Sequence, residues 1–186
     1  MVIVSKYRLL HNDDEEFCGV PVFRVVSTEE PICPVCGVRL KYRDSRLRIR
    51  RTYNSRKTWL VVRRLKCPSC GRLHTELPDI VTPYKHYATE IIENVVDGVS
   101  TPEDLSTEDY PCECTMKRWI GWVFGNRIQI DSQLKSIGSR LPGFGRDLLF
   151  STESLLDALR GKGSGWLCSI NRALYNSGGR IPSVPP

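Results

Sequence analysis

Two short stretches of the chain, Ile32-Cys33-Pro34-Val35-Cys36-Gly37 and Lys66-Cys67-Pro68-Ser69-Cys70-Gly71, repeat one arrangement: two cysteines separated by two residues, then glycine. Thiolates suit a divalent transition metal, and a two-residue gap lets one tight turn aim two sulfurs at the same ion. Thirty residues separate the two pairs. If a hairpin brings the turns together, Cys33, Cys36, Cys67 and Cys70 form a tetrahedral set for one structural Zn2+ ion. Four protein thiolates leave no coordination position for water, so such an ion holds the fold and does no catalysis. Gly37 and Gly71 let the backbone turn away where a Cβ would obstruct it.

The interval between the pairs is strongly basic. From Val38 to Arg72 there are thirteen Lys and Arg against one acid, Asp44, a local excess of +12 in a chain whose net charge is +6; the remainder therefore carries −6. Cations held this close repel one another unless an anion is the partner, and arginine suits phosphates and guanine edges. Arg46, Arg48, Arg50, Arg51, Arg56, Lys57, Arg63 and Arg64 are the expected contacts to nucleic acid.

These residues need elements to carry them. "RLRIRRTY" and "KTWLVVRRL" are rich in β-branched and aromatic residues and are joined by Asn54-Ser55-Arg56-Lys57, which predicts a long hairpin. Alternation places Leu47, Ile49 and Tyr53 on one face and Arg46, Arg48 and Arg50 on the other. Val38, Leu40 and Tyr42 have the opposite parity, so a turn or bulge is needed near Asp44-Ser45. Upstream, "VIVSKYRLL" and "VPVFRVVS" read as two strands separated by the acidic turn "HNDDEE".

After Asp79 the apolar period lengthens to that of a helix. Thr82 as N-cap and Pro83 at the first helical position predict a helix with Tyr84, Ala88, Ile91, Ile92, Val95 and Val96 as its stripe, ending at Gly98. A brief helix is expected at "TPEDLS" and a loop at "STEDYP". A third helix is expected from Cys112, burying Met116, Trp119, Ile120 and Val123 and running on through Ile130, Leu134 and Ile137. "GSRLPGFG" reads as a connection, "TESLLDALR" and "GWLCSINRALYNSGG" as two further helices, the second burying Trp166, Leu167, Ile170 and Leu174, and "RIPSVPP" as an extended tail.

The expected class is α+β: residues 1–80 carry N-terminal strands and a zinc ribbon, 81–138 a helical region arranged as a helix-turn-helix, and 139–186 C-terminal helices and a tail. In that arrangement the helix from Cys112 takes the recognition position. It presents Thr115, Lys117, Arg118 and Trp122 to DNA, although Glu113 opposes close phosphate contact.

The two Cys-Pro-x-Cys-Gly units around a basic hairpin, the run "RRLKCPSCGRLHTELPDIVTPYKHYATEIIE" and "TMKRWIGWV" resemble the zinc-ribbon and helix-turn-helix front ends of bacterial insertion-sequence transposases. They are most similar to a bacterial family of this architecture that also shares "WLCSINRALYNSGGRIPS". The resemblance spans residues 30 to 125, with the tail in addition, and implies DNA binding near mobile elements. The chain stops where a transposase would begin its acidic catalytic domain, so no enzymatic activity is expected.

The expected function is thus non-catalytic, zinc-dependent DNA binding, transposon-associated or regulatory. RNA is an alternative ligand, and docking in a larger complex, with a transposase or another protein, is an alternative role. A nuclease built from scattered carboxylates and histidines is the least supported reading. No run approaches eighteen apolar residues and the N-terminus lacks a leader pattern, which predicts a cytoplasmic, nucleoid-associated protein with no membrane partner. Cys112 and Cys114 have poor spacing for one ion, Cys168 lies on an apolar helix face, His74 is read as a phosphate contact or strand cap, and "GKGSG" lacks the spacing of a phosphate loop.

Overall fold

Strand β5 (Lys57–Lys66) organises the molecule in the computed structural model, which describes residues 1–53, 56–104, 111–140 and 152–183, side chains 12–15 excepted. One edge of β5 is covered along its length by β4 (Lys41–Arg51), antiparallel. The other edge is shared end to end. β3 (Val20–Ser27) pairs with it in parallel at Trp59 to Val61, and β6 (Leu73–Pro78) pairs antiparallel at Arg64 to Lys66. β2 (Tyr7–Phe17) continues from β3, and β1 (Val2–Val4) lies parallel to β6, completing a six-stranded sheet.

The hairpin is therefore no free-standing ribbon. The register of β4 and β5 slips between Tyr42 and Asp44, so Arg43 is the extra residue of the anticipated bulge. Residues 54–55 of the hairpin turn lie outside the described residues. The acidic "HNDDEE" is part of strand β2, and the chain reverses instead at Cys18 and Gly19, with φ of 55° and 68°. Two consecutive positive φ values match the twist of the flanking strands in a two-residue hairpin loop.

Helix α1 (Thr89–Val96) starts later than its sequence suggests. Thr82 does not cap it: its buried hydroxyl donates to the Thr89 hydroxyl at 3.1 Å, and Thr89 in turn donates to the Asp79 carbonyl at 2.8 Å. Tyr84 is exposed with φ of 62°, a left-handed turn, and Tyr87 and Ala88 bridge to Arg51 and Val81. Tertiary pairing thus takes the first predicted turn away from the helix. The stripe Ile91, Ile92, Val95 and Val96 is buried as expected.

The third predicted helix is two helices, α2 (Glu113–Gly125) and α3 (Arg127–Gly138), broken at Asn126. The Asn126 amide donates to the carbonyls of Trp122 and Pro182, at 2.8 and 3.1 Å. Ile120, expected inside, is exposed, and Trp122, expected on the DNA-facing side, is 3% exposed with its indole N–H donating to the Pro182 carbonyl at 3.0 Å. Of "TPEDLS", residues 101–104 form a turn closed by the Thr101 amide on the Asp104 carboxylate; 105–106, the loop at 107–110 and the connection at 141–145 lie outside the described residues.

Helices α4 (Leu155–Arg160) and α5 (Trp166–Asn176) follow the prediction, and Trp166, Leu167, Ile170 and Leu174 are buried. Strands and helices share one main core, from Ile3 and Leu60 through Ile91, Trp119 and Ile130 to Ile181. A smaller cluster of Val2, Val4, Leu40 and Leu65 surrounds Cys33 and Cys67. The α+β class holds, while the described helices do not establish a helix-turn-helix.

Candidate metal centre and basic surface

The two cysteine turns are near copies. In the first, the Cys33 amide donates to the Val38 carbonyl and the Gly37 amide to the Cys33 carbonyl, both at 2.9 Å; in the second, Cys67 donates to Arg72 at 2.9 Å and Gly71 to Cys67 at 3.1 Å. Gly37 and Gly71 adopt φ of 73° and 71°, the left-handed region that an L side chain resists. The β4–β5 hairpin and the start of β6 bring these turns face to face. All four sulfurs lie within 4.8 Å of one another. Cys36 and Cys67 are 3.3 Å apart and Cys33 and Cys70 3.7 Å. A tetrahedron of thiolates about 2.3 Å from a central ion has edges of about 3.8 Å, so the set fits one metal ion.

The electrostatics call for a cation. The Cys67 thiol is lowered to about 6, chiefly by the Cys70 amide, with the Cys36 side chain and Ser69 amide adding to it against burial. The Arg72 amide favours the Cys70 thiolate, yet burial and the sulfurs of Cys67, Cys33 and Cys36 push that thiol up to about 11. The Cys67 thiolate forms readily and Cys70 then resists, which a bound divalent ion reverses. Cys33 and Cys67 are buried and Cys36 and Cys70 exposed.

His74 belongs to this centre. Contrary to the phosphate-contact reading, its ring is buried with Nε2 at 3.5 Å from the Cys33 sulfur. Burial, then the positive N-terminus and Arg72, depress its proton affinity, leaving a neutral imidazole able to donate to the thiolate, as outer-shell partners of metal ligands do. Its place one residue into β6 was visible in the sequence, but its inward direction depends on the register with Leu65. Cys112 and Cys114 are exposed and join no metal-ligating group among the described residues. The Cys168 thiol donates to the Asp79 carbonyl at 3.3 Å, and burial pushes it up to about 11.

The nucleic-acid contacts predicted on the hairpin divide into three groups. Arg63 and Arg64 are neutralised within the protein. Arg63 makes a two-pronged pair with Glu76, 1% exposed, at 2.7 and 2.8 Å, and Arg64 a similar pair with Asp44. The row Arg46, Arg48 and Arg50 faces Val62, Leu60 and Thr58 across the ladder, on the side that packs toward the helices, where Leu60 and Val62 are fully buried. Alternation is as expected, but the arginines line the inner face and Leu47, 37% exposed, the outer. Arg48 is half-buried, its Nη2 donating to the Lys85 carbonyl at 2.5 Å; burial, then Arg46, hold it below the usual arginine range. Arg50 lines a pocket of about 270 Å³ with Ile80, Glu93 and Cys168. Near the hairpin tip, Arg51 is half-buried and Arg56 and Lys57 are exposed.

On α2, Lys117 and Arg118 are exposed, but Lys117 is paired with Glu113 at 2.5 Å, and the Thr115 hydroxyl is 3.2 Å from the Cys112 sulfur. Lys85 and His86, which are not among the expected nucleic-acid contacts, lie beside the β4 arginines; the sequence reads His86 as exposed, and it is. The Arg51 amide donates to the His86 carbonyl at 2.8 Å, and the Lys85 ammonium stands 4.6 Å above the Trp122 ring. No helix among the described residues is long and apolar enough to cross a membrane.

Residues 33–119, from the first metal-ligating cysteine to Trp119 in α2, match the family model of a domain of unknown function, DUF6431. The match joins the metal centre, the basic hairpin and α1 in one unit. No curated protein and no solved structure matches the chain.

Proposed function

We propose that the chain is a zinc-dependent, non-catalytic DNA-binding protein, transposon-associated or regulatory, acting in the cytoplasm at the nucleoid. Zinc is the ion favoured by four thiolates on two tight turns. The observation that carries the reading is the set of cations on the metal-braced strands: among the described residues Arg46, Arg56, Lys57, Lys66 and Arg72 meet no carboxylate. The sequence resemblance to transposase front ends supports DNA and a link to mobile elements. A matched RNA duplex is the competitor to include.

Salt titration tests it. Neutralising about six phosphates gives a slope near −5 in log affinity against log salt, and Arg56→Gln with Lys57→Gln should flatten it by about 2. Binding without salt dependence would contradict the reading. Ile32, Val35, Val38 and Leu73, exposed around the metal centre, favour a second reading as a docking module for a protein partner; that complex would be salt-insensitive and weakened by Val35→Asp.

A further inference from the structure

We propose that the outer face of the sheet, around Leu10, Arg24, Val61 and Leu47, is a docking surface for an acidic amphipathic segment of a partner protein. The strand register builds it. Leu10 pairs with Arg24, Arg24 with Val61 and Val61 with Leu47, one row across β2, β3, β5 and β4, and cross-strand partners share a face. The next row sets Arg8 opposite Val26 and Ser45 opposite Arg63. Leu60 and Val62, which alternate with Val61, enter the core on the helical side. Leu10, Val26 and Leu47 are 52%, 39% and 37% exposed, and an exposed apolar patch of this kind marks a docking surface. Residues of both rows line a hollow of about 270 Å³: Arg24, Val26, Tyr42, Ser45, Val61 and Arg63. The Tyr42 and Ser45 hydroxyls stand 3.2 Å apart.

Charge selects the occupant. Arg8 and Arg24 are exposed and, among the described residues, form no ion pair. The Glu76 carboxylate that holds Arg63 is 1% exposed and offers a ligand nothing. Aliphatic side chains interleaved with unpaired arginines are complementary to a segment that interleaves carboxylates with apolar side chains. Nucleic acid fits less well. Bases stack on rings, but Phe17 and Trp59 pack edge to face on each other with centroids 5.2 Å apart, and aliphatic surface gains nothing from phosphates. A second copy docked about a two-fold axis sets this arginine-bearing face against itself.

The inference goes beyond the DNA reading and does not rest on it. The test displays random peptides of about twelve residues, long enough to cross the roughly 14 Å from β2 to β4, and selects them on the metal-loaded full chain. Selected peptides should combine Asp or Glu with Leu, Ile or Val. The tightest, synthesised, should lose about tenfold in affinity with Arg24→Gln and with Leu10→Asp, both at exposed positions. Arg46→Gln removes the same charge from the inner face, opposite Val62, and should change the affinity less than about twofold. That pattern upholds the docking face whether or not the chain binds DNA. Selection of peptides without acids, an equal loss in Arg46→Gln, or self-association that Leu10→Asp abolishes overturns it. DNA binding lost in both Arg24→Gln and Leu10→Asp also overturns it, and moves the DNA reading onto this face.

Discussion

The two ends of β5 are secured by different physics. At its N-terminal half, Leu60 and Val62 enter a core that continues through α1, α2, α3 and α5, and burial of large apolar side chains suffices. Toward Cys67 the packing thins to Val2, Val4, Leu40 and Leu65, too few to hold two irregular turns, and four sulfurs converge there instead. An ion held by these sulfurs would do at one end what a hydrophobic core does at the other. The hairpin body is anchored in the sheet, so an ion would brace its cysteine end only.

Cys67→Ser should break the comparison most severely. Loss of one ligand removes the ion and costs about 5 kcal/mol or more at the cysteine end, measured as lost metal and lost amide protection in residues 33–40 and 67–73, with α5 still protected. Leu174→Ala, in the fully buried stripe of α5, acts on the other end. It should cost about 4 kcal/mol, read as a lower thermal midpoint with the metal retained.

Glu93→Ala sharpens the account of the helical end. The Glu93 carboxylate, buried in α1, accepts the Gly165 amide and the Leu167 amide, the latter at 2.9 Å, and so caps α5 from another helix. Removing it leaves two amides unmet at a helix N-terminus and should cost about 3 kcal/mol in chemical denaturation. Glu29→Gln is the smallest. Burial alone would raise the Glu29 carboxyl, but the amides of Lys6 and Ser5 and the Ser5 hydroxyl outweigh it and hold it below the usual range. A depressed folded pKa gives stability that is present above the unfolded value and lost as the pH falls through the folded one. The substitution should cost about 1 kcal/mol at neutral pH and flatten the acid limb below about pH 4.

Much of this was legible locally. The cysteine spacing announced the metal centre, the parity conflict between Tyr42 and Leu47 announced the bulge at Arg43, and the stripe Trp166, Leu167, Ile170 and Leu174 announced α5. What failed depended on distant partners. Thr82 and Pro83 have the composition of a helix start, but Thr82 gives its hydroxyl to Thr89 and Tyr84 turns left-handed. Trp122 reads as an exposed aromatic until the Pro182 carbonyl meets it from sixty residues away. The arginine row of β4 alternates as predicted, yet periodicity alone does not say which side of a strand the helices will cover. Nothing local to Asn176 shows that its amide pairs with both backbone groups of Ile3, at 2.7 and 2.8 Å, closing the edge of β1.

Residue-resolved hydrogen exchange, with the metal bound and after chelation under reductant, tests the division of labour most directly. The account predicts one ion per chain and, on its removal, exposure of the amides of Cys33, Gly37, Cys67 and Gly71 while Ile92, Ile170 and Leu174 stay protected. Unchanged protection at the cysteine turns, or equal loss in α1 and α5, would contradict it.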